Sequence, residues 1–222
     1  MSTVLAEKAV RFYDSTIGKK AVMAVTGLIL FGFLIAHMLG NLQIFIGKEV
    51  MNHYAETLHG NPPLLWGVRI VLLVSVVLHM WAWLQLGAIK SAARPVAYAK
   101  TTSQTSVASR TMALSGPLIA IFVVLHLLHF TTGTIHPGKF VELHAYENVI
   151  SGFTLPFILI YIAAMLLVRV HLAHGVWSMF QSVGFSHPRY TPLLKKFAAV
   201  FSWVLVLGFI SIPLAVLFGI LK

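Results

Sequence analysis

The chain contains no cysteine, so it can neither hold an iron-sulfur cluster through thiolates nor form a disulfide. Acidic residues are nearly as scarce, with only Glu7, Asp14, Glu49, Glu56, Glu142 and Glu147 present in 222 residues. Charged residues of both signs make up 10% of the chain, against about a quarter in a soluble domain. No polar stretch is long enough to form a separate soluble domain. The first twenty residues are mixed and charged (Glu7, Lys8, Arg11, Asp14, Lys19, Lys20) and lack a short apolar run ending in small residues, so they do not read as a removable signal peptide.

What is present is apolar: 58% of the residues are hydrophobic and the mean hydropathy is +0.87. Hydropathy marks five segments, 21–46, 64–89, 112–132, 149–174 and 197–221, each near the ~20 residues that cross a hydrocarbon core. The expected fold class is all-α, a polytopic bundle of five transmembrane helices forming one membrane domain over residues 1–222. Its surroundings are lipid on every side.

The net charge of +10 does not read as nucleic-acid binding, because stacking aromatics interleaved with basic residues on a polar surface are missing. Its distribution sets orientation instead. Lys8, Arg11, Lys19, Lys20, Lys90, Arg94, Lys100, Arg110, Arg189, Lys195 and Lys196 fall on one side of the spans, and only Lys48, Lys139 and Lys222 on the other. The positive side is cytoplasmic, which puts the amino terminus inside and the carboxyl terminus outside.

Eleven histidines are present, several of them deep in apolar segments, where an ionisable side chain is costly without a task or a partner. His37, His79, His126 and His171 fall one per helix on the first four spans, each in the second half of its span. Successive helices are antiparallel, so His37 and His126 lie toward the outside and His79 and His171 toward the cytoplasm. Two facing imidazoles are natural axial ligands for a haem iron between helices. The expected pairs are His37 with His126 and His79 with His171, at two depths. Gly27, Gly32, Gly40, Gly116 and Gly175 would let a flat macrocycle approach the backbone. His129 and His174 follow His126 and His171 by three residues and share their helix faces, so periodicity does not choose between them. The second histidine of each couple could bind a propionate, meet a quinone or contact a neighbouring helix, the last being the reading for His174.

The stretches 33–41 (FLIAHMLGN), 77–81 (VLHMW), 123–133 (VVLHLLHFTTG) and 171–184 (HLAHGVWSMFQSVG) together resemble the di-haem cytochrome b anchor subunit of succinate:menaquinone oxidoreductases and fumarate reductases. The likeness covers all five spans, and its most specific part is the His-x-x-x-Gly-x-Trp-Ser run at 171–178. The resemblance implies two haems b, with His126 and His171 selected over His129 and His174. It also implies a bacterial cytoplasmic (inner) membrane, menaquinone as substrate, and partner flavoprotein and iron-sulfur subunits on the cytoplasmic face. FAD and the iron-sulfur clusters would reside in those partners, and the complex could form a higher oligomer. Dicarboxylate chemistry has no site in this chain.

Quinone reduction needs two protons as well as two electrons, so its site needs a haem edge, an apolar slot and a protonatable group open to water, and the resemblance implies a site near the outer pair. The first outer connection offers His53, Tyr54, Glu56 and His59, with Asn41 just inside the span. Glu56 and then His59 are the expected proton carriers, and His129 could also belong to the quinone or haem surroundings. Some fumarate reductases of the resembled family carry a glutamate two residues before the fourth ligand, where this chain has Arg169. Arg69 and Arg169 are expected either to meet haem propionates, outer and inner respectively, or to snorkel to the interface. Histidine geometry also fits the di-haem b subunit of a hydrogenase or formate dehydrogenase. A haem-free transporter or assembly factor is the third class.

Overall fold

The structure, a computed structural model, describes residues 12–93 and 107–222. Glu7, Lys8, Arg11, Arg94 and Lys100, used above for charge and orientation, lie outside the described residues, as does the side chain of Arg110. Among the described residues all regular structure is helical. Five helices are long and apolar enough to cross a membrane: Thr16–Phe45, Pro62–Ala92, Thr111–Thr131, Leu155–Ser182 and Thr191–Leu217.

Helix ends follow local chemistry. α1 (Thr16–Leu42) starts at Ser15, whose Oγ accepts the Gly18 N–H at 2.9 Å, and a 3-10 turn at Gln43–Phe45 completes the first span. Lys19, although buried, donates from Nζ to the Tyr13 and Asp14 carbonyls at 2.9 and 2.8 Å. This satisfied cation lets the first span begin five residues before the expected position. α2 (Lys48–His59) is a full helix where sequence reading expects only a polar connection. α3 (Pro62–Ala92) begins with prolines at its first positions, behind Asn61, whose Oδ1 accepts the Leu64 N–H at 3.2 Å.

α4 (Val107–His126) runs into a π turn, Leu127–Thr131, and Gly133, at φ 69°, turns the chain away from the span. α5 (Ala145–Gly152) is a short helix, separate from α6 (Leu155–Ser182). The expected fourth span, 149–174, is therefore corrected to 155–182. Phe153 leaves the helical region, and Pro156, which lacks a backbone donor, is tolerated only in the first turn of a new helix. α7 (Thr191–Leu217) likewise starts with a proline in its first turn and ends before Gly219, at φ 66°, so the fifth span lies at 191–217 rather than 197–221.

The packing centre is formed by α1, α6 and α7, with Met38, Met165, Val168, Leu172, Leu205 and Val206 buried together. α3 packs on α1 and α4 packs on α6, while α3 and α4 make at most marginal contact with each other. Spans one to four thus form a four-helix arrangement in which one and three, and two and four, stand diagonally. α7 backs it from the side of α1 and α6.

The connection between spans one and two and that between spans three and four lock together. Lys48 and Glu147 form an ion pair joining α2 to α5. Asn52 donates from Nδ2 to Glu147 Oε2 and accepts the Tyr146 N–H through Oδ1, each at 2.9 Å. Asn148 clamps the preceding loop by exchanging hydrogen bonds with both backbone groups of Val141, at 3.0 and 2.7 Å.

Candidate cofactor site

Four half-buried histidines face one another across the diagonals of this arrangement. The ring centroids of His37 and His126 are 5.7 Å apart, and those of His79 and His171 are 6.4 Å apart. No cluster of three or more histidine or carboxylate side chains able to hold a metal ion occurs among the described residues. A bare transition metal asks its protein for three or more ligands, whereas a haem iron takes four from its macrocycle and leaves two axial positions.

The spacing fits that donor set. Metal–nitrogen bonds of roughly 2 Å, with half an imidazole beyond each, separate two axial ring centres by about 6 Å.

The pairs lie at two depths. His79 touches Met23 and Thr26, eleven to fourteen residues before His37 on α1. His171 approaches Ser115, eleven residues before His126 on α4. His126 meets Tyr161, ten residues before His171 on α6. At 1.5 Å rise per residue, three helices agree on a separation of about 15 Å along the bundle.

Ring orientation is set from behind. His79 Nδ1 lies 3.0 Å from the Met23 carbonyl and 3.2 Å from Thr26 Oγ1. A carbonyl can only accept, so Nδ1 carries the hydrogen and Nε2 presents its lone pair. His171 Nδ1 stands 3.4 Å from Ser115 Oγ, and His126 Nδ1 stands 3.1 Å from the Tyr161 hydroxyl. In all three rings Nε2 has no protein hydrogen bond among the described residues. His37 differs, because Asn41 Nδ2 donates to the His37 carbonyl at 2.7 Å and lies 3.3 and 3.4 Å from both ring nitrogens. Its ring is stacked on Phe33 at 5.2 Å rather than aimed by a single bond.

Glycine makes room where the His79–His171 pair meets backbone. A Cβ on Gly27 would lie 3.3 Å from the His79 ring and one on Gly116 would lie 3.8 Å from the His171 ring. Gly40 instead lies under Tyr54, and Gly32 and Gly175 face no atom within 4 Å.

Compared with protein-family models, curated proteins and solved structures, the chain finds no match.

The structure separates the histidines that periodicity leaves equivalent. The His126 and His129 rings both bring Nδ1 to the Tyr161 hydroxyl; His126 also meets His37 at 5.7 Å, whereas His129 sits in the π turn. It is fully buried between α4 and α6, stacked on Phe157 at 4.0 Å, with its Nδ1 3.0 Å from the Tyr161 hydroxyl. A Cβ on Gly152 would lie 3.1 Å from His129 Nε2. His174 meets Trp177 of its own helix, with ring centroids 5.4 Å apart, and Lys195 of α7 lies over that same Trp177 ring.

The arginines pair with tryptophan. The Arg69 guanidinium lies 5.1 Å from the Trp66 ring, on the same helix, as a snorkelling residue would. Arg169 lies 4.6 Å from the Trp203 ring on α7, with its Nε buried and without a hydrogen-bond partner. Two residues before His171 is a rotation of about 200°. Arg169 thus faces the fifth span and is not brought to the His79–His171 pair.

Gln43, Glu49, Val50, His53, Tyr54 and Thr57 line a shallow groove of about 350 Å³ on the surface of α2. Sequence reading points to His53 and Tyr54 beside a quinone and does not point to Glu49 or Gln43. Glu56 stands beside His53, with Oε2 3.7 Å from Nδ1, and both are exposed. His59 bonds back to the Ala55 carbonyl of its own helix at 2.8 Å, so it is not brought into the groove. Glu147, outside the spans, feels partial burial, which works to raise its carboxyl. The hydrogen bonds from Lys48 and Asn52 outweigh that and hold it at about 2.

Proposed function

We propose that this chain is the haem-carrying, quinone-reactive membrane anchor of a succinate dehydrogenase or fumarate reductase. The observation that carries the reading is the diagonal pairing of four histidines at two depths, three of them bonded through Nδ1 with Nε2 free. His37 and His126 would hold an outer haem b, and His79 and His171 an inner one. When bound, the two haems supply one-electron centres that link the cytoplasmic side of the membrane to the outer side.

The chain's own residues do the rest. Thr26, the Met23 carbonyl, Ser115 and Tyr161 orient the ligand rings, and packing by α1, α6 and α7 holds the helices at fixed separation. Quinone, with menaquinone as the expected type, would enter from the outer side, where Tyr54 seats against Gly40, three residues beyond His37. His53 and Glu56 stand at that groove as groups able to exchange protons with water, and Glu49 joins them. No carboxylate falls within any of the five spans, so no acid relay crosses the membrane. Proton uptake or release outside, with electrons crossing from the cytoplasmic partners, makes turnover electrogenic.

The test is isolation of the tagged chain from its native bacterial membrane in mild detergent. Copurification of a flavoprotein and an iron-sulfur protein, with succinate-dependent reduction of a menaquinone analogue, is expected. A nickel or molybdenum partner would replace this reading with a hydrogenase or formate dehydrogenase cytochrome.

A further inference from the structure

One hydroxyl is placed between two imidazoles. Tyr161 Oη lies 3.1 Å from His126 Nδ1 and 3.0 Å from His129 Nδ1. A phenol has a single hydrogen and can donate it to only one of them. The other bond therefore runs from an imidazole N–H to the phenol oxygen. With both bonds made by neutral rings, His126 and His129 must hold opposite tautomers.

We propose that Tyr161 and His129 form a tautomer lock that keeps Nε2 of His126 free to face His37. The direction of the lock rests on the reading of His126 as an axial ligand. That role requires a bare Nε2, so His126 carries its hydrogen on Nδ1 and donates it to Tyr161. Tyr161 in turn donates to His129 Nδ1, and His129 carries its own hydrogen on Nε2. That nitrogen is buried with no hydrogen-bond partner, and Phe157, Phe130 and Gly152 enclose it. The 4.0 Å stack on Phe157 holds the plane of the His129 ring.

Tyr161 and His129 are thus positioning residues. An acceptor behind a ligating imidazole makes it a stronger donor to its metal, which favours the oxidised iron. Loss of that acceptor moves the potential upward, at the outer haem alone.

The experiment is a redox titration of the purified protein, wild type against Tyr161→Phe, His129→Leu and His129→Gln. Tyr161→Phe is expected to raise the outer potential and leave the inner one unchanged. His129→Leu frees the tyrosine hydrogen to turn on His126 and should perturb the outer haem in the same way. His129→Gln, which restores an oxygen acceptor, should return it toward wild type. An outer potential unchanged in Tyr161→Phe overturns the lock. Nitrogen-15 spectra of histidine-labelled wild type need no variant: His126 hydrogen on Nδ1 and His129 hydrogen on Nε2 are expected in the reduced protein, and matching tautomers overturn the proposal. If no haem is bound, the functional reading fails, and opposite tautomers in the same spectra remain the expected result for the Tyr161 bridge.

Discussion

A single backbone carbonyl aims His79: Met23 accepts from Nδ1 at 3.0 Å, and the opposite nitrogen turns to the bundle interior. Gly27 leaves space for that ring, with a Cβ there only 3.3 Å from it. Gly27→Leu is expected to displace His79 and halve the haem bound per chain, as read by pyridine haemochrome assay. Gly152 closes the other end of the site, where a Cβ would meet Phe130 at 2.7 Å and His136 at 2.8 Å. Overpacking of this kind costs about 1–3 kcal/mol, so Gly152→Ala should lower the melting temperature in detergent; an unchanged value would contradict the packing described. The four spaced histidines are legible in sequence, because a titratable ring in an apolar helix stands out on its own. Thr26, Ser115 and Tyr161 are not, since a hydroxyl in a span gains its role only from the partner a neighbouring helix presents.

Helix identity is readable from apolar length, but helix ends belong to caps and prolines. Asn61→Ala should cost about 1 kcal/mol through loss of the Leu64 cap, measured as a fall in the melting temperature. The fourth span illustrates the limit: hydropathy runs smoothly through 149–174 and does not register the break at Phe153 that Pro156 imposes. This correction moves His171 away from the end of its span while leaving it in the second half. The ion pair between α2 and α5 is also invisible in sequence, because Lys48 and Glu147 lie far apart along the chain. With Glu147 held at about 2, below its ordinary value of 4.5, its stabilisation is complete above the unfolded value and is lost as pH falls through the folded one. Amide exchange in α5 should therefore be slower in wild type than in Glu147→Gln above pH 5, with the difference vanishing toward pH 2. A difference that persists there would assign the effect to something other than the carboxylate.

At the scale of the whole molecule, five spans imply opposite sides for the two termini, and the absence of cysteine makes labelling of introduced thiols free of background. Lys139→Cys should react with an impermeant maleimide on intact cells, and Lys196→Cys only after the membrane is opened. The reverse pattern would invert the orientation inferred from charge. The central claim is that the diagonal histidine pairs are two haem sites. A reduced-minus-oxidised spectrum with haem quantitation tests it most directly, on wild type and on single alanine substitutions of His37, His79, His126 and His171. Two haems b per chain are predicted, with loss of the same haem from either member of a pair. Absence of haem, or losses that do not follow the pairs His37 with His126 and His79 with His171, would contradict the account.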